Sequence, residues 1–186
     1  EAGHALVQLL LPEADPLHKV SIIPRGPMGG ATFSLPEKDR YTYSRNYCKA
    51  LICIALAGRL AEETFCGDIS SGAQNDIAQV TELAKKMVLD WGMSERLGMV
   101  NYSNDDRMIM PMETQGKTYS ERTAEVVDEE IRALIDEGYQ RTRRMIADHR
   151  DQLDAIAKAL LRYETLSAEE VRQIVDGEPL DKPTVG

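Results

Sequence analysis

Positive charge is scarce in this chain, and so are cysteine and unbroken apolar sequence. Lysine and arginine number 22 against 31 aspartates and glutamates, a net charge of −9. That balance repels the phosphate backbone that a nucleic-acid binder has to neutralise, which sets nucleic acid aside as a partner. No apolar run approaches the roughly 20 residues that a bilayer-crossing helix needs, and no cationic segment followed by an apolar one stands at the start. The piece is therefore expected to be soluble by itself. The three cysteines, Cys48, Cys53 and Cys66, are odd in number and show neither Cys-x-x-Cys spacing nor a disulfide framework. They imply a reducing compartment and read as small buried hydrophobes on a helix.

What is present fits one soluble globular domain. The chain has 186 residues, 42% hydrophobic and 28% charged, enough to bury a substantial core. Its periodicity is mostly helical, with a small extended region near the beginning. Ala2 to Leu11 form an apolar helical segment stopped by Pro12. "HKVSIIP" and "GGATFSLP", joined by the turn-rich "RGPMGG", read as a pair of short strands rich in β-branched and aromatic residues. Two strands alone are marginal, so helices have to cover one face. Ser44 to Phe65 is a long helix, apolar nearly all round, that Gly67 ends. "AQNDIAQVTELAKKMVLDWG" is a further helix with Asp76 in its first turn, and Met93 to Lys117 form a long irregular loop. Thr118 and Glu121 read as the capping box of a helix to His149, followed by a helix over Arg150 to Tyr163. Ser167 and Glu170 cap a last helix to Val175. The fold class is mainly α with a small β-hairpin, the domain running over 1–176 and a flexible tail over 177–186.

The chemistry starts at "EAGH". On a helix Glu1 and His4 share a face, and a histidine immediately before Glu1 would complete the H-E-x-x-H pattern of a zinc peptidase. Two imidazoles at that spacing can grip one Zn²⁺, with the carboxylate between them placed to take a proton from water that the metal polarises. By itself Glu-x-x-His is a pattern that many helices carry by chance. A first-turn glutamate favoured by the helix dipole accounts for it more simply.

The rest of the chain changes that balance. "EAGHALV", "DPLHKVSIIPRG", "GATFSLPE", "GRLAEE", "SSGAQNDIAQVTELAKKMV" and "WGMSERLG" follow one another in an order and spacing that resembles the peptidase domain of the FtsH family, the membrane-tethered, ATP-dependent AAA+ zinc metalloproteases. The likeness runs from Glu1 to about Glu164. It implies that His4 is the second histidine ligand of a zinc ion, Glu1 the catalytic base and Asp76 the third ligand. Asp76 has a plainer alternative, favouring the positive end of its helix with Asn75. Glu62 and Glu63 compete as the carboxylate ligand, or one of them hydrogen-bonds a ligand imidazole; a surface pairing with Arg59 is the alternative. His18 reads as structural, and His149 suits a helix C-terminus. Gly30, Ala31, Thr32 and Phe33 lie on a strand that could hold substrate as an added strand, although the glycines also serve the turn.

The same resemblance implies degradation of unfolded or misassembled membrane and soluble polypeptides, fed by an ATPase ring, and a homo-hexameric assembly. ATP belongs only to the ATPase module, which these residues do not contain. The membrane is reached only through an N-terminal anchor, with this domain on the cytoplasmic side of a bacterial inner membrane or its organellar equivalent. The chain reads as an excised C-terminal peptidase fragment without the first histidine ligand. The alternative function is thus a catalytically impaired, hexamer-forming scaffold. A di-iron carboxylate protein would require a second Glu-x-x-His, and only one copy is present.

Overall fold

A computed structural model describes residues 1–24, 29–35, 41–103 and 119–183. The elements run α1 (Ala2–Leu10), β1 (Leu17–Ser21), β2 (Ala31–Ser34), α2 (Arg45–Cys66), α3 (Gln74–Lys85), α4 (Glu121–Asp148), α5 (Arg150–Tyr163), β3 (Thr165–Ser167) and α6 (Ala168–Val175). The mainly helical class and the N-terminal hairpin are as the sequence predicts. Among the described residues no helix is long and apolar enough to cross a membrane.

α2 is the central element. Ser44 caps it by accepting from the Tyr47 amide, and Gly67 ends it at φ 67, the left-handed conformation that glycine adopts without cost. α1, α3 and α4 all pack on it. Cys48, Ala50, Cys53 and Ala57 are fully buried, and Ile52 nearly so. Burial pushes the Cys48 and Cys53 thiols up from their ordinary pKa. Cys66, read as buried from the sequence, instead lies exposed in the last turn.

α1 crosses α2 at very short range. A Cβ on Gly3 would come 2.6 Å from the Ala57 carbonyl oxygen and 2.8 Å from Ala61 Cβ, so only glycine permits this approach. The same short helix completely buries Ala5, Leu6 and Val7.

The hairpin has a partner that periodicity does not reveal. β3, from the far end of the chain, pairs antiparallel with β1 to give the order β2-β1-β3. α5 ends at Glu164, which takes φ 59 and offers its carbonyl to the Ile22 amide at 2.9 Å. Ser21 and Thr165 then join their hydroxyls across the strands at 2.8 Å. β2 is left as an edge strand.

Two expectations are corrected. α4 starts at Glu121 with Ser120 as its cap, accepting from the Thr123 amide; Thr118 lies outside the described residues. The predicted helix over residues 73–92 ends in a π turn, Lys86–Asp90, before Gly92. Of the irregular stretch Met93–Lys117, residues 93–103 carry no helix or strand, and 104–117 lie outside the described residues.

The segment read as a flexible tail is tied down as far as Lys182. Leu180 packs against the core, and Lys182 Nζ donates to the Thr165 carbonyl at 2.9 Å and to Glu170 at 3.0 Å. Burial raises the Glu170 carboxyl pKa, but the Ser167 amide and Lys182 together outweigh it and hold it below the ordinary glutamate value. The predicted Ser167–Glu170 capping box is present.

Two outcomes follow. Gly3→Ala should lose about 1–3 kcal/mol of stability despite alanine's better helix propensity, read as a lower denaturant midpoint at unchanged m. Because Glu170 has a depressed folded pKa, its contribution is present above about pH 4.3 and is lost as pH falls through the folded value. The stability advantage of the native chain over Glu170→Gln should therefore shrink on acidification below about pH 4.3 in thermal melts.

Candidate metal and peptide cleft

Glu1 occupies the N-cap of α1, with its carbonyl accepting from the Ala5 amide at 3.0 Å, and His4 follows one turn later. The His4 ring lies beside α2. Its Nδ1 stands 2.7 Å from the Ile54 carbonyl oxygen. A carbonyl only accepts, so Nδ1 carries a proton, and the tautomer with a single N–H has its lone pair at Nε2. That nitrogen faces Asp76 Oδ2 at 3.6 Å.

Asp76 reaches this position through a short 3₁₀ turn, Ser71–Ala73, that feeds directly into α3. Ser70 caps the turn by accepting from the Gly72 amide at 3.2 Å. The N-cap of α3 is Ala73, with no side-chain cap, and the Asp76 carboxylate is turned towards His4. A gap of 3.6 Å is too long for a hydrogen bond, yet two ligands of one tetrahedral zinc, each about 2.0–2.1 Å from it, lie about 3.3 Å apart.

Space for the imidazole comes from α2. A Cβ on Gly58 would collide with His4 Nε2, so a glycine is required in the middle of an otherwise Ala-rich helix. These two donors fit a shared ion and do not complete its shell; among the described residues, no three His, Cys, Asp or Glu side chains group as a full ligand set.

The opposite wall is β2. Thr32 Oγ1 donates to Glu1 Oε2 at 2.8 Å, and a side chain on Gly30 would come 2.8 Å from Glu1 Cγ. Gln8 Nε2 donates to Ser34 Oγ at 2.7 Å and to the Asp15 carbonyl at 2.8 Å, which pins the strand to α1. Between β2, α1 and α3 runs a cleft of about 450 Å³, with Glu1, His4, Asp76, Gly30, Ala31 and Thr32 in its lining.

Other predicted residues fall elsewhere. Glu62 is half-buried and Glu63 exposed on α2, and neither lines the cleft. The imidazole N–H that one of them was expected to accept goes, in His4, to the Ile54 carbonyl. Arg59 reaches the Ser70 carbonyl rather than either glutamate. Phe33 is half-buried beneath Lys19, whose Nζ stands 5.1 Å from the ring centroid, and does not face the cleft. His18 is exposed on β1, and His149 Nδ1 bonds the Met145 carbonyl at the α4–α5 junction; neither lines the cleft. Gly58 and the Ile54 carbonyl were not anticipated. The one sequence signal for Gly58 is a glycine where helix propensity favours alanine by about 1 kcal/mol.

Residues 1–174 match peptidase family M41. The chain belongs to that family. It is 47% identical over 185 residues to the ATP-dependent zinc metalloprotease FtsH 2 of Methylacidiphilum infernorum, covering 98% of this chain and 29% of that protein. It is 47% identical over 186 residues to the ATP-dependent zinc metalloprotease FtsH of Thermobaculum terrenum, with the same shares covered. The Haemophilus influenzae protein of that description is 42% identical over 188 residues, 99% of this chain and 30% of its own length. The chain thus spans under a third of the length of these relatives.

In this M41 domain the glycine beneath His4 offers a sharp test. With one histidine added ahead of Glu1, Gly58→Ala should keep its helical circular dichroism while zinc affinity drops at least about tenfold, as measured by competition with a chromophoric chelator. Unchanged affinity would mean that His4 Nε2 is not a ligand.

Proposed function

We propose that this M41 domain is a zinc-dependent endopeptidase that cuts unfolded polypeptide held in the cleft between β2 and α3. The observation that carries the reading is the approach of His4 Nε2 and Asp76 Oδ2 within 3.6 Å, with the Glu1 carboxylate on the same rim. His4 and Asp76 are two of three protein ligands, the third being a histidine immediately ahead of Glu1. Bound zinc supplies a Lewis acid that makes water acidic enough to lose a proton near neutral pH.

Glu1 is the proton acceptor. Its Oε2 is fixed by the Thr32 hydroxyl, so the carboxylate stays at the cleft rim. The proton it takes is later available to the departing amine. The edge of β2 offers main-chain hydrogen bonds to an extended peptide, which reads no sequence and suits unfolded or misassembled substrates. Gly30, Ala31 and Thr32 are the residues of that strand that border the cleft. Glu62 and Glu63 are left without a role on His4, and their place beside the preceding histidine is open to test.

In the intact protein, an ATPase ring would deliver substrate, a hexamer of such domains would enclose it, and a membrane anchor would hold the assembly at a bacterial inner membrane or its organellar counterpart. The names of the relatives, ATP-dependent zinc metalloproteases, support the ATPase part of this picture.

Metal content and cleavage separate the roles. The 186-residue chain by itself should hold zinc weakly, and the chain extended by one histidine about one zinc per molecule by elemental analysis. In the extended chain, Glu1→Gln should retain the zinc and lose at least about 10²-fold in cleavage of unfolded casein, the lower limit of general-base contributions. His4→Ala and Asp76→Asn should lose metal and activity together. Parental cleavage by Glu1→Gln with zinc bound would sink the mechanism, and equal zinc in the two chain lengths would sink the assignment of the ligand ahead of Glu1.

A further inference from the structure

The cleft does not stop at His4 and Asp76. Beyond it, along α3, lies a second hollow of about 520 Å³ walled by Tyr43, Leu51, Leu83 and Trp91, with Glu82 and Lys86 at its rim. The two spaces adjoin, with Leu51, Gln79 and Leu83 lining both. Its walls are more apolar than those of the metal cleft, and its two charged rim residues pair with each other at 3.6 Å.

The aromatic wall is built rather than incidental. Tyr43 and Trp91 stack at 5.7 Å between centroids with 10° between their planes, and Tyr47 stacks on Tyr43 from within at 5.9 Å. Trp91 follows the π turn Lys86–Asp90, in which the Trp91 amide bonds the Lys86 carbonyl at 3.0 Å. The wider turn redirects the chain so that the indole stands over the hollow, and π turns recur at functional sites. Trp91 is 38% exposed and Tyr43 46%, apolar surface left open to solvent.

We propose that this hollow receives one bulky apolar side chain, aromatic or large aliphatic, of the polypeptide lying in the cleft, and so sets the sequence preference of the enzyme. The inference rests on the peptidase reading above. Leu83 follows Asp76 by two helical turns, about 10 Å of rise, and an extended strand covers about 3.3 Å per residue. The favoured side chain is therefore about three residues from the bond that is cut. Main-chain pairing on β2 reads no sequence, whereas an apolar pocket discriminates by size about 10- to 200-fold.

Trp91 is the sole tryptophan of the chain, so it reports on its own pocket. Two capped, serine- and alanine-rich decapeptides, identical except for phenylalanine or alanine at one central position, serve as probes. With the 186-residue chain, the phenylalanine peptide should shift Trp91 emission saturably, with half-saturation at least about tenfold below that of the alanine peptide. Ala78 is exposed on the lip of the hollow, so Ala78→Phe fills the space from outside and should remove the difference; Tyr43→Ser, which opens the wall, should reduce it.

Equal half-saturation for the two peptides would overturn the proposal, as would an emission change that follows protein concentration alone, the mark of a second copy in the hollow. Cleavage by the zinc-loaded, histidine-extended chain separates the two readings. Cutting of both peptides at one rate leaves the peptidase intact and removes the pocket. Selective binding without any cutting keeps the pocket and removes the peptidase.

Discussion

The close crossing of α1 over α2 is the constraint on which the site depends. It exists because small residues meet along one seam: Gly3 on α1 against Ala57 and Ala61 on α2, and Gly58 against the His4 ring. Shortening that distance puts the His4 N–H on the Ile54 carbonyl, and this bond in turn selects the tautomer that leaves Nε2 free. A larger residue at either glycine would push the imidazole away from Asp76. Packing, hydrogen bonding and ligand chemistry are therefore one arrangement, and the same short helix that carries the site buries Leu6 and Val7 in the core.

The sheet supplies the other half of the cleft by a longer route. β1 is held between β2 and β3, so the hairpin gains a third strand only after α4 and α5 have carried the chain back. Val20 and Leu166, paired across β1 and β3, are both completely buried, which anchors the sheet to the helical core and leaves β2 as its outer edge. An edge strand normally carries an aggregation hazard, and a substrate site is one use for its open hydrogen-bonding groups. Gln8 and Thr32 tie that edge to α1, so the carboxylate of Glu1 and the strand keep a fixed relation.

α3 joins the cleft at His4 and Asp76 to the aromatic hollow. Its first turn carries Asp76 and its middle carries Gln79 and Leu83, while the π turn at its end places Trp91 against Tyr43.

The sequence by itself determined the helical class, the ends of α2 at Ser44 and Gly67, the Ser167–Glu170 box, and the membership of Glu1, His4 and Asp76 in one recognisable pattern of blocks. These are legible because capping, hydrophobic periodicity and motif spacing are local properties of the chain. The pairing of β3 with β1, the burial of Cys48 and Cys53 but not Cys66, and the docking of Lys182 were decided only by the tertiary structure, since each depends on residues far apart in sequence. So was the meeting of His4 with Asp76 in three dimensions: a spacing of 72 positions constrains no distance. Gly58 shows the limit most plainly. In the sequence it is a weak point in a helix, and only when α1 lies across it does the missing methyl become the space that an imidazole needs.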